Sequence, residues 1–144
     1  MTPDSLFQVS CIIAAVGWIV IIFVSPFWAW WDKFVMGVVI TLLALIYSYL
    51  NLTNFHPSDV KGFGSLDGIL GLYQNKYILL AGWVHIMAFD LIGAIWLKKN
   101  AIRHGLSHWT ILIPIIFTCL LGPLGFLLYL IIRAFKTRSI FTDN

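Results

Sequence analysis

Glutamate does not occur in this chain of 144 residues: all six acidic residues are Asp, set against nine Lys and Arg. Charge of either sign is scarce, at 10% of residues where soluble domains carry about 25%, while 60% of residues are hydrophobic. So little polar material cannot coat a core with a solvated shell, so the outside of the molecule meets lipid. Cysteine is scarce too. Cys11 and Cys119 both fall inside apolar runs and form no CxxC or Cys/His cluster, which excludes a disulfide framework and a zinc site and leaves packing thiols. The basic excess forms no patch with interleaved aromatics, so no nucleic-acid partner is expected. Lys33, Lys98, Lys99, Arg103, Arg133, Lys136 and Arg138 instead sit at the ends of apolar runs, where flanking cations anchor helices at lipid headgroups.

What is abundant is hydrocarbon. Four runs are long enough for about 30 Å of bilayer core: roughly Leu6 to Val24, Phe34 to Leu50, Tyr77 to Leu97 and Trp109 to Ile132. They are apolar on every face with no period of two, so they read as helices that satisfy their own backbone. The expectation is an all-α, four-helix integral membrane bundle in one domain over residues 1–144. The first run has no basic segment before it and no small-residue cleavage site before Pro26, and is kept as a helix. Between the second and third runs, Asn51 to Lys76 is the one long connection, and within it Leu66, Ile69, Leu70 and Tyr73 have helical spacing behind Ser65. That pattern predicts a short interfacial or re-entrant helix capped by Ser65. Four crossings would put the N-terminus, this loop and the C-terminal tail on one side, and the balance of Lys and Arg favours the cytoplasm for both termini.

Ionisable groups at depth stand out against this background, and the third run holds two, His85 and Asp90. Asp at a helix centre costs roughly 2.5 to 3.5 kcal/mol on insertion scales, which asks for a partner or a polar cavity and marks a functional candidate. Five residues apart on an ideal helix is about 140°, so the pair points to different faces unless the helix is distorted near Gly82 or Gly93. Tyr47, Ser48 and Tyr49 on the second run, and Thr118 and Tyr129 on the fourth, are possible donors to them. As hydrogen-bonded struts they would be structural; as acid and base they would be catalytic. Pro123, with Gly122 and Gly125 around it, predicts a kink or a tight helix crossing. Asp67 in the loop helix and Trp83 in the third run are further candidates for substrate contact. His104 and His108 have an i, i+4 spacing but no acidic or thiol neighbour, so no metal is expected.

The stretch Ala81-Gly82-Trp83-Val84-His85-Ile86-Met87-Ala88-Phe89-Asp90-Leu91, followed by Trp96, Gly105-Leu106-Ser107-His108-Trp109, Pro114, Gly122-Pro123-Leu124-Gly125 and Tyr129, resembles the abscisic-acid-deficient-four family. Ser25-Pro26, Gly68-Ile69 and Leu72-Tyr73 extend the resemblance over nearly the whole chain, and Trp-x-His-x-x-x-x-Asp-Leu is its most specific part. Ile95 stands where some members carry Arg, so no in-span Arg pairs with Asp90. The plant members are chloroplast membrane proteins needed to make neoxanthin from violaxanthin; many members are bacterial, and this chain looks like one of those, in the inner membrane. The resemblance implies binding of a carotenoid or isoprenoid-like lipid and its isomerisation. Opening an epoxide end group to an allenic alcohol adds a proton to oxygen and removes one from carbon, so an acid and a base suffice without a cofactor. Asp90 and His85 would be that acid and base, with Trp83, Asp67, Tyr47 and Tyr129 around the substrate. A non-catalytic lipid-presenting or assembly subunit, bound to another membrane protein or to its own copies, is a second expectation, and a proton-translocating subunit a third.

Overall fold

A computed structural model describes residues 2–137. Three of its helical stretches are long and apolar enough to cross a membrane: Pro3–Val24, Trp31–Asn54 and Lys76–Arg103. The first is α1 (Pro3–Ile19) prolonged by a widened π turn over Val20–Val24. Thr2 caps it by accepting the Ser5 N–H at 3.3 Å, and Pro3 fits the first turn because its missing N–H would have no partner there. The second stretch joins α2 (Trp31–Phe34), another π turn at Val35–Ile40, and α3 (Thr41–Asn54). The third is α5 (Lys76–Arg103), unbroken through 28 residues and started by Asn75, whose side chain accepts from the Tyr77 N–H. Its length of about 42 Å exceeds the roughly 30 Å of a hydrocarbon core.

The connection ahead of α5 carries a 3-10 segment, Pro57–Gly64, and then α4 (Leu66–Leu72), whose first turn is closed by Ser65 Oγ accepting the Gly68 N–H at 3.1 Å. Gly68 allows a close approach, because a Cβ there would overlap the Gly62 carbonyl oxygen.

The expected fourth span over residues 109–132 is not one helix. It divides into α6 (His108–Leu121) and α7 (Pro123–Thr137), and Gly122 between them has φ +39° and ψ −94°. At 14 and 15 residues each arm is about 21 to 22 Å long, too short for a crossing. The arms fold back on each other. Gly125 packs against the backbone of Thr118 and Pro114, and further along α7 both Tyr129 and Arg133 reach Asn100, close to where α6 begins. A single residue in the left-handed region reverses the chain, which Gly tolerates and other residues resist. Three long helices and a helical hairpin stand where four single-helix spans were expected.

The hairpin also moves the C-terminal end. Along α5, Asp90 meets Gly122, Trp96 stacks on Phe126 at 4.9 Å, and Asn100 meets Tyr129 and Arg133, so α7 runs parallel to α5. Thr137 thus lies at the end of the bundle that holds Ser25 and Trp31, opposite Pro3 and the α4 loop. Pro3 and Thr137, both expected on one side, lie at opposite ends of the bundle; Arg138 lies outside the described residues.

Candidate functional site

His85 and Asp90 lie on an α5 without distortion, so their separation of about 140° stands, and the structure does not bring them together. Neither makes a hydrogen bond or ion pair among the described residues. A strut would be recognised by such bonds.

His85 is exposed and borders a pocket of about 210 Å³ at the end of the bundle nearer α4, with Tyr47 and Asn51 from α3, Tyr73 just after α4, Phe63 from the loop, and Gly82 one turn before it. The ring of Tyr47 lies 5.6 Å from the imidazole and that of Phe89 4.5 Å, both tilted against it. Gly82 lets Tyr73 approach: a Cβ there would come to 3.0 Å of the Tyr73 hydroxyl. Asn51 spends its amide on the Tyr47 carbonyl at 2.9 Å, which leaves its side-chain oxygen as an acceptor. The pocket therefore has aromatic walls and four polar tips. Of the expected substrate contacts, Tyr47 joins His85 here.

Asp90 is half-buried against the hairpin turn, where a Cβ on Gly122 would stand 2.6 Å from Oδ1. Thr118, expected as a donor to it, bonds the Pro114 carbonyl at 2.8 Å instead, and Tyr129 donates to Asn100 at 2.5 Å. Tyr129 is fully buried and touches neither His85 nor the pocket. Asp67 is exposed on α4. Trp83 lines a second cavity, of about 440 Å³, with Phe7 of α1 and Leu79 and Leu80 of α5.

Sequence reasoning missed a buried polar cluster at the other end of the bundle. Lys98 and Arg133, expected at the headgroups, are only 3% and 4% exposed. Lys98 Nζ donates to Ser25 Oγ and, at 3.1 Å, to His108 Nδ1, and sits 4.9 Å from the Trp31 ring centre. His108 Nε2 is 3.0 Å from the Ile22 carbonyl, which can only accept, so the imidazole carries its proton on Nε2 and receives the lysine on Nδ1. Beside it, Lys99 pairs with Asp32 at 2.5 Å. The anchoring expectation failed because α5 extends past Leu97 and the hairpin packs around its last two turns. The available signal was Ser25 and His108, polar residues at run boundaries on separate elements.

Asn100 holds α7 in place, its Oδ1 accepting from Tyr129 and, at 2.7 Å, from Arg133 Nη1. Asn100→Ala removes the shared acceptor and is expected to cost about 2 to 3 kcal/mol, the range for a bond to a charged donor plus a neutral one, whereas Asn100→Asp keeps the acceptor and stays near wild type. Thermal melting of both variants in detergent checks this. If Asn100→Ala melts with the wild type, the contact does not hold the hairpin.

A family model described as ABA4-like: ABA DEFICIENT 4-like matches residues 5–129. No curated protein and no solved structure matches the chain.

Proposed function

Because the chain belongs to the ABA DEFICIENT 4-like family, we propose that it is a membrane protein that binds a carotenoid- or isoprenoid-like lipid by its end ring, in the pocket of Tyr47, Asn51, Tyr73 and His85. The observation that carries this reading is a histidine that makes no hydrogen bond or ion pair among the described residues, on the rim of a pocket with aromatic walls. At about 210 Å³ the pocket is smaller than the 300 to 1,000 Å³ of sites for drug-sized ligands, so it suits one oxygen-bearing ring while the polyene chain lies in lipid along α5. Three crossings with the hairpin entering from one face would hold it in the bilayer, which for a bacterial member is the inner membrane.

For isomerisation, His85 is the group placed to take or return a proton at a bound ring, with the Tyr47 and Tyr73 hydroxyls beside it to hold the oxygen. Asp90 faces the hairpin on another side of α5, so pairing it with His85 requires a substrate that wraps the helix. The geometry favours separate roles for the two.

Purification with native lipid, followed by absorbance and mass spectrometry, tests the proposal. An isoprenoid or polyene is expected to be enriched over the bulk lipid extract, and Tyr47→Leu and His85→Leu are each expected to lower that enrichment about tenfold, the effect of one to two lost polar contacts. A fold check by circular dichroism separates lost binding from lost structure. No enrichment in the wild type sinks the reading. Binding that survives in His85→Ala with no turnover by either protein would leave a lipid-presenting subunit.

A further inference from the structure

The hairpin follows α5 only as far as Asp90 and turns there, at Gly122. Between that turn and the start of α5, α1 and α5 enclose the cavity of about 440 Å³, with walls of Phe7, Leu79, Leu80 and Trp83 and a rim of Asp4 and Lys76. Leu79, Leu80 and Trp83 lie on the face of α5 opposite to Ala81, Gly82 and His85, so this cleft is separate from the histidine pocket.

We infer that the cleft is a lipid site that takes one acyl chain of a zwitterionic phospholipid, with its ammonium at Asp4 and its phosphate at Lys76. Depth decides against a long polyene: from Lys76 to Trp83 is about 10 Å along α5, a third of the hydrocarbon thickness, which accommodates the upper part of a chain. Charge decides the headgroup. Asp4 and Lys76 are both exposed on the rim, and among the described residues neither forms an ion pair. One acid beside one base matches a headgroup that carries both signs, whereas an anionic headgroup would meet the Asp4 carboxylate and an isoprenoid alcohol would leave both charges unanswered.

The full chain, reconstituted in nanodiscs of phosphatidylethanolamine and phosphatidylglycerol in equal parts and released for native mass spectrometry, tests the assignment. The wild type is expected to retain one phosphatidylethanolamine in preference to phosphatidylglycerol. Asp4→Asn, an exposed change that spares the fold, is expected to lower that preference about two- to fivefold, the size of a surface ion pair. Leu79→Trp fills the cleft and is expected to lower retention of any phospholipid about tenfold, while Gly37→Ala, which faces open space and lines neither pocket, leaves retention unchanged. Equal retention of the two lipids by the wild type, an unchanged preference in Asp4→Asn, or an isoprenoid in place of the phospholipid overturns the assignment.

Discussion

Gly125→Ala is expected to destabilise the protein by about 3 kcal/mol or more, the upper end of what overpacking costs, because the intruding atom meets backbone that cannot swing aside. A Cβ at this position would overlap the Thr118 backbone nitrogen and hydroxyl and stand 2.5 Å from the Pro114 carbonyl. The arms of the hairpin would have to separate. That movement would also pull Phe126 from Trp96 and Tyr129 from Asn100, so losses accumulate along α7. Gly37→Ala is the control: it faces open space within a helical stretch, and replacing Gly there is expected to be neutral or to stabilise by about 0.5 to 1 kcal/mol. Melting curves of the two variants against the wild type report the difference. A Gly125→Ala protein as stable as Gly37→Ala would mean that α6 and α7 do not approach as described.

Labelling from one side of a sealed vesicle should give an all-or-none result for the course of the chain. With Cys11 and Cys119 replaced by serine, single cysteines at Ala29, Ser58 and Thr137 report the hairpin after α1, the long loop and the end of α7. Three crossings and a returning hairpin put Ala29→Cys and Thr137→Cys on one face and Ser58→Cys on the other. A membrane-impermeant maleimide added outside vesicles of uniform orientation is expected to modify either the first two or the third alone, the rest only after lysis. Were Thr137→Cys to react together with Ser58→Cys, the chain would cross four times and the hairpin would be wrong. The experiment does not depend on any ligand.

The helical character of the chain was legible from the sequence, and so were two of its starts, Ser65 as a cap and Tyr77 within one residue of where α5 begins, whereas the first two long helices begin three residues earlier than Leu6 and Phe34 and the last run divides in two. Hydropathy and local hydrogen bonding decide such features within a few neighbouring residues, so they can be read from the sequence one stretch at a time. His85 and Asp90 were found the same way, as ionisable side chains too deep in a run to reach water. Their facing directions also followed from helical spacing, because α5 is regular. Their surroundings were not legible. The pocket at His85 draws Tyr47, Phe63 and Tyr73 from three separate parts of the chain.

By itself the sequence determined that this protein meets lipid, that it is helical, and that few of its charges lie at depth, since composition and periodicity fix those properties without reference to any distant contact. Only the tertiary structure decided that the last apolar run turns back. The reversal rests on one positive φ at Gly122 and on the backbone approach at Gly125, and a window of apolar residues looks the same whether the chain continues or returns. It also decided that Lys98 and Arg133 are buried, because the oxygen and nitrogen atoms that receive them come from Ser25, Asn100 and His108. A cation at the end of a hydrophobic run goes to water or to protein according to what packs around it, and that is settled only when the hairpin closes on α5.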